Sequence, residues 1–469
     1  MENIKEMKLR EAREREAAYA EIAQKLGDDV AESLREYFSI VDERFYLWLA
    51  DLYDPGKYGE DGNPLGGGFY YTPSARDTVG YNIDIESTQQ ALDFLTTAGM
   101  VRGKLRDELP KKMIKEMVAF AYSLQSSEDG YFYHPQWGTN INSNRLSRDL
   151  IWATKLLSTF GYKPYWNTPN GDKGMYGEPG MTKGSEGERN ASANGTVTNL
   201  DKWPDRLRTL ENWENYLKGF EADMKSNSYG IGHTVAEQRT QIKARDEEAR
   251  TNGEKTGYAA ITERYFNLWQ NPENGLWEKN VTYSSINGLM KIMALYQELG
   301  LHFNYAEKAV NAAIEIVALE GPDEYGVEAR ASTYVYNPWC AISRIFDCLN
   351  KQGESELVTK LRAKLYSRAA ELIRISRKKT IKFKKDDGSY GFTFDYSHSH
   401  QQGVPAAVPQ TVEGDIDGAI CALFGVTWNM MRALDLSGKI TLFAPSDLQI
   451  FLERIAERTH IEKPIAENK

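Results

Sequence analysis

A short turn that sets glycine beside an aromatic residue recurs along this chain, each time ahead of a stretch with helical apolar spacing. This repetition restricts the possible folds more than any other feature. The copies are Gly66-Gly-Gly-Phe-Tyr-Tyr71, Asp129-Gly-Tyr-Phe-Tyr133, Asn227-Ser-Tyr-Gly230, Asn274-Gly-Leu-Trp277, Asp323-Glu-Tyr-Gly326 and Asp387-Gly-Ser-Tyr390. Their glycines, near 68, 130, 230, 275, 326 and 388, stand 45 to 62 residues apart, with one interval near 100. Two helices of about 15 residues and their turns need about 45–60 residues. A lone hairpin of that kind cannot bury its apolar face, so neighbouring units must stack. Six hairpins close into a ring, with each glycine turn at one mouth just before an inner helix.

Apolar residues spaced by three and four predict helices over 30–52, 85–95, 112–124, 146–160, 286–299, 305–318, 338–349, 357–375 and 416–434. Gly161, Gly300 and Gly353 stand where helix C-caps belong. No alternating strand of useful length is visible. The expected fold is all-α, an (α/α)6 toroid spanning 1–469 as one domain. Residues 1–30 read as an outer N-terminal helix, 165–199 as a Gly/Asn/Pro-rich insertion placed as a lid, and 459–469 as a frayed tail.

The chain of 469 residues carries a net charge of −10. That argues against nucleic acid, because phosphate binding needs clustered Lys and Arg. No run of 18 apolar residues occurs, so no membrane partner is expected. The three cysteines, Cys340, Cys348 and Cys421, form no CxxC pair and no disulfide framework. With a charged start lacking an apolar signal region, they point to the cytoplasm. Oligomeric state is not legible.

Aromatic residues make up 12% of the chain, with 27 tyrosines, many beside Gly or Asn where no core requires them. Sugar rings pack their C–H faces on Trp and Tyr, whose N–H and O–H groups bond hydroxyls. The run of Asp-Gly-Tyr/Trp turns before helices resembles the α/α-toroid carbohydrate-active enzymes: toroidal polysaccharide lyases, unsaturated-glucuronyl hydrolases and several glycoside hydrolases. The resemblance spans nearly the whole chain in architecture and fixes no single family. It implies a substrate groove at the ring mouth. Terpene cyclases and protein prenyltransferases share the toroid, but the Asp-x-Asp-Asp motif of the former and the zinc-ligand spacing of the latter are missing.

Four of the six histidines, His134, His233, His398 and His400, fall in or just after the glycine turns. The stretch from Asp387 to Gly403 places Tyr396, His398 and His400 on one face if extended. The stretch from His134 to Arg148 supplies Trp137, Asn144, Arg145 and Arg148 at the opening of a helix, where a carboxylate is stabilised. Arg76, Trp277, Tyr283, Asn287, Tyr336, Trp339 and Glu413 follow other turns as substrate-binding candidates.

This inventory suits β-elimination from a uronic acid in an acidic oligo- or polysaccharide. Asn144 with Arg148 would neutralise the carboxylate, Tyr396 with His398 or His400 would act as base and acid, and His134 would assist. No cofactor is required. A divalent metal remains open, with His398, His400 and Glu413 as its ligands. Glycoside hydrolysis competes and needs two carboxyl groups. Asp84, Glu86, Glu413, Asp415 and Asp417 are its candidates, although acids ahead of apolar helices also serve as caps. A sugar-binding or scaffold toroid without catalysis is the third reading.

Overall fold

Apolar spacing becomes helix nearly wherever it occurs: 58% of the chain is helical and 4% strand, an all-α composition. The computed structural model describes residues 3–180, 203–320 and 330–463. The chain opens with α1 (Ile4–Leu26), α2 (Asp28–Phe38) and α3 (Glu43–Asp51). A small ladder of β1 (Tyr53–Asp54) and β2 (Gly68–Phe69) follows, then α4 (Pro73–Asp77), α5 (Ile85–Thr97), α6 (Leu105–Glu108), α7 (Lys111–Leu124) and α8 (Ser143–Thr159). Next come α9 (Asp205–Arg208), α10 (Leu210–Lys218), α11 (Ser228–Ala236), α12 (Arg239–Thr251), α13 (Tyr258–Trp269), α14 (Tyr283–Leu299) and α15 (Ala306–Ala318). The last part holds α16 (Thr333–Lys351), α17 (Ser355–Tyr366), α18 (Ala369–Ile381) and the hairpin β3 (His400–Gln401) with β4 (Val404–Pro405). It closes with α19 (Ile416–Gly418), a π-helical stretch Ala419–Gly425, α20 (Val426–Ala433) and α21 (Pro445–Ala456). The helix expected over 30–52 is two helices. It breaks after Phe38, and Asp42 caps α3 by accepting from the Arg44 N–H at 3.1 Å.

Three of the glycine turns share one construction. Gly130, Gly275 and Gly388 have φ of 76°, 74° and 86°, a left-handed backbone that favours glycine. The side chain before each glycine accepts from the N–H after it: Asp129 from Tyr131, Asn274 from Leu276 and Asp387 from Ser389. Each turn joins a preceding helix (α7, α13, α18) to a following one (α8, α14, α19). The other copies differ. Gly68 is a strand residue, Gly230 lies inside α11, and the copy at 323–326 is outside the described residues.

The helices that follow these turns pack in sequence. Helix α5 contacts α8, α11 contacts α14, α14 contacts α16, α16 contacts α20, and the π-helical stretch returns to α5. Between α8 and α11 the link is polar, an Arg148–Glu237 ion pair at 3.4 Å. Helices α7, α15 and α18 lie behind them, α13 packs on α10 and α12, and α1 packs on α2 and α21. One continuous apolar cluster runs from Tyr19 to Ile455. Among the described residues no helix is long and apolar enough to cross a membrane.

Two segments at the edges make contacts of their own. Of the insertion expected over 165–199, the described part, residues 165–180, is anchored on the α7 end. Tyr165 stacks on Tyr122 at 4.1 Å, and the Tyr165 and Trp166 N–H groups donate to the Gln125 side chain. Its remainder lies outside the described residues. The tail is docked as far as it is described: His460 bonds Asp54 at 3.0 Å, and Lys463 donates to the carbonyls of Ala75 and Tyr81.

Candidate functional site

Side chains from several helices line a common cavity of about 650 Å³. Helix α5 contributes Gln90 and Asp93, and α8 contributes Arg148, Trp152 and Lys155. From α11 and its end come Tyr229 and Glu237, and from α14 come Met290 and Lys291. Helix α16 presents Tyr336, Asn337 and Arg344, spaced so that one face looks inward. Asp417 and Cys421 enter from α19 and the π-helical stretch. An extra residue in such a turn re-aims the side chains beyond it, a device frequent at functional sites.

The β3–β4 hairpin completes the wall with His400, Gln402 and Gly403, joined by His398 and Phe392 just before it. Gln402 and Gly403 both take positive φ, 50° and 88°, as a two-residue hairpin turn demands. The loop is held in place from two sides. The Asn142 amide donates to Gln402 O at 2.7 Å, and the Gln402 side chain bonds His233 Nε2 at 3.0 Å.

Charge is distributed unevenly over this lining. Glu86 binds Arg148 and, at 3.4 Å, Arg145. Glu237 lies 3.4 Å from Arg148, 3.5 Å from His233, 3.6 Å from Arg239 and 3.8 Å from Lys291. Burial alone would raise the Glu237 carboxyl, but Arg148, Lys291 and Arg239 outweigh it and hold the group down at about 2. Asp417 is treated oppositely. Burial, reinforced by Glu86 and only partly offset by Arg148, lifts it to about 6. The Tyr71 hydroxyl lies 3.2 Å from Asp417 and 3.3 Å from Asp415, so one proton serves two carboxyl groups. Burial raises Asp415 to about 7, against N–H donation from Phe392, Gly418 and His398. Lys291 is lowered to about 8, first by burial and then by its arginine neighbours.

Of the residues expected from sequence, Arg148, Tyr336, His398, His400 and the hydrolase candidate Asp417 line the cavity. The rest are placed elsewhere for identifiable reasons. Tyr396 is 44% exposed and outside the lining. His134 is buried, donates from Nε2 to Ile83 O and accepts the Gln136 N–H at Nδ1, so its ring is fixed as a strut. Asn144, expected to meet a carboxylate, lies in the first turn of α8 outside the lining, behind the cap Asn142, which accepts from the Arg145 N–H. Arg145 is wholly buried against Asp84, Glu86 and Asp149 and cannot meet a substrate. Trp137 covers Arg145 and donates to Pro405 O, bracing the hairpin from behind. Arg76 is engaged by Asp77 and the Asp51 carbonyl.

The turn aromatics expected to stack on sugars build the wall instead. Trp277 is buried and donates to Phe266 O, Trp339 is buried and donates to Ser376, and Tyr283 is buried and donates to Thr333. Asn287 lies behind the lining, accepting from Asn337. Glu413 is buried and accepts from Ser74 and Ser397, which separates it from His398 and His400 as a ligand set. Among the described residues no group of three or more His, Cys, Asp or Glu is placed to hold a metal ion.

The sequence reading missed Glu237, Lys291, Arg344 and Trp152, and took Tyr229 only as part of the Asn227-Ser-Tyr-Gly230 turn. The first four sit on a helix or at its end with no local motif, and only the packing of the helices brings them to one cavity. A second cavity of about 900 Å³ lies between α1 and the 437–447 loop; Phe424 borders both cavities. Of its acids, Glu11 is occupied in accepting from Ser446, Asp447 in accepting from the Ala444 N–H and Glu14 in an ion pair with Arg102. No family model, curated protein or solved structure matches this chain.

Proposed function

We propose that this protein is a carbohydrate-cleaving enzyme, a glycoside hydrolase whose helical hairpins close as an (α/α)6 toroid around the 650 Å³ cavity. One observation carries the reading: two carboxyl groups on the same cavity have surroundings that drive their proton affinities apart, burial lifting Asp417 to about 6 and the cations around Glu237 holding it at about 2, so that between those values one is protonated and the other ionised. Groups whose surroundings drive their pKa values apart make an acid and a base of chemically equal side chains. Hydrolysis of a glycosidic bond needs that pair. Asp417 gives its proton to the leaving oxygen as the C–O bond breaks. Glu237 stabilises the positive charge at the anomeric carbon and takes a proton from the water that adds there. Tyr229, 39% exposed, offers an open ring for a sugar face, and Asn337, Gln90 and Gln402 offer amides for hydroxyls.

The test is release of reducing ends from a panel of neutral and uronic-acid glycans by wild type and Asp417→Asn. Turnover by wild type that collapses in the variant supports the assignment; turnover unaffected by the change removes it.

A second reading is β-elimination, favoured by His398 and His400, which face the cavity together with Tyr336. Burial, then the neighbouring His400, lowers His398 and keeps it neutral, a state suited to proton abstraction. Elimination creates a C4–C5 double bond that absorbs in the ultraviolet, and hydrolysis does not. A rise in absorbance that tracks product would replace Asp417 by His398 as the reacting group.

A further inference from the structure

Charge bookkeeping around the cavity leaves one side short of anions, although the whole chain carries −10. Lys155 is matched by Asp93 at 2.5 Å, and Arg148 by Glu86. Glu237 is then shared, at 3.4 to 3.8 Å, among Arg148, Arg239 and Lys291. Lys291 Nζ makes no hydrogen bond among the described residues; Glu237, at 3.8 Å, is its nearest carboxylate. Arg344, beside it on the same wall, has no carboxylate partner among the described residues. Only its Nη1 is used, donating to Met290 O at 2.7 Å. The Nε–Nη2 edge therefore remains open. That edge presents two parallel N–H donors, the fork that takes a planar carboxylate side-on. A third observation lies on the same helix face. Asn337 is 1% exposed and lines the cavity; its amide nitrogen is spent on Asn287, and its Oδ1 has no partner. Buried acceptors are rarely left unmet.

We propose that the Arg344–Lys291 side of the cavity is a subsite for the carboxylate of a uronic acid, with Asn337 Oδ1 accepting from a hydroxyl of the same sugar ring. The carboxylate bridges the Arg344 fork and the Lys291 ammonium and supplies the anion that this wall lacks. The reaction at Asp417 then acts on a linkage of a uronic-acid-containing glycan. This inference rests on the hydrolase reading for the identity of the cavity but is tested by binding, which does not depend on turnover.

The experiment is calorimetric titration of the full chain with D-glucuronate, D-glucose and D-glucose 6-sulfate, none of which contains a bond for the enzyme to cut. D-glucuronate is expected to bind at least about tenfold more tightly than D-glucose. D-glucose 6-sulfate should fall between them, because a tetrahedral anion fits the planar fork less well. Arg344→Met should remove on the order of tenfold to a hundredfold of the glucuronate affinity and little of the glucose affinity, the loss typical of a charge-assisted hydrogen bond. Arg344→Lys, which keeps the charge and loses the fork, should recover part of it. Lys291→Met gives an independent loss if the Arg344 variants do not fold. Equal binding of glucuronate and glucose, no binding of either, or a glucuronate preference that survives Arg344→Met and Lys291→Met overturns the proposal. Stronger binding of the sulfate than of the carboxylate overturns the assignment to a uronic acid. A protein that binds glucuronate through Arg344 yet cleaves no glycan keeps the subsite and removes the hydrolase. A glycosidase acting on neutral glycans alone does the reverse.

Discussion

Asp417→Asn changes one atom and separates chemistry from architecture. The Tyr71 hydroxyl still has an acceptor there, and the Gln90 amide lies 3.4 Å away. On the hydrolase reading, the variant lacks its general acid. Such a group contributes about 10²–10⁴ in rate, or about 3–5 kcal/mol of barrier at 1.36 kcal/mol per tenfold. The stability effect has the opposite sign. Holding this carboxyl near 6 in place of its ordinary 3.8 costs the ionised form up to about 3 kcal/mol. Cavity water screens part of this, leaving about 1–3 kcal/mol. Because the folded pKa is raised, wild type bears no cost below about pH 3.8, an increasing cost between 3.8 and 6, and the full cost above 6. The variant should therefore melt higher than wild type at pH 8 and equal to it at pH 3. Loss of activity joined to a gain in stability is the mark of a strained functional group.

The kinetic assay compares kcat/KM from pH 4 to 8 on a glycan and on an aryl glycoside. Wild type should lose activity as pH rises through about 6, where Asp417 gives up its proton. The variant should lack this limb. An aryl leaving group with a low pKa departs without a proton, so it should restore much of the variant's rate. An alkaline limb near 6 that persists in Asp417→Asn would refute the reasoning, as would equal losses on both substrates.

Other substitutions probe the walls. Arg145→Met strands Asp84, Glu86 and Asp149 without their shared cation, and unfolding in urea should show a loss of about 3–5 kcal/mol at neutral pH. That loss should shrink in acid as the carboxylates protonate. Gly425→Ala places a methyl 2.4 Å from the Tyr336 ring, which must shift into the cavity; thermal melts should report about 1–3 kcal/mol of destabilisation. Tyr396→Phe, at an exposed ring outside the cavity, should leave turnover within about twofold of wild type. A hundredfold drop would return Tyr396 to the site.

What could be read from the linear chain follows local rules. Apolar spacing gave the helices, and an Asp-Gly or Asn-Gly pair gave the turns at 130, 275 and 388, because left-handed backbone and a short accepting side chain are properties of adjacent residues. Asp84 and Asp415, candidates for catalysis on sequence, cap α5 and α19 as their position before an apolar run also allowed. Local rules failed where they had to state which helix face looks inward. Trp277 and Trp339 sit beside turns and helix starts as sugar platforms would, yet both are swallowed by the packing of the wall. Arg145 and Arg148 are three residues apart on one helix. The first is sealed under Trp137 and the second reaches the cavity.

The sequence by itself determined that this chain is helical, where its hairpins turn and which residue types it brings to the work. Only the tertiary structure decided which of them meet. Glu237, Lys291, Arg344 and Asp417 lie on four separate segments of the chain, and no spacing rule links them. Their charges become chemically useful only because burial in one shared cavity strengthens every pairing and raises the cost of every mismatch, and burial is a property of the folded assembly of helices.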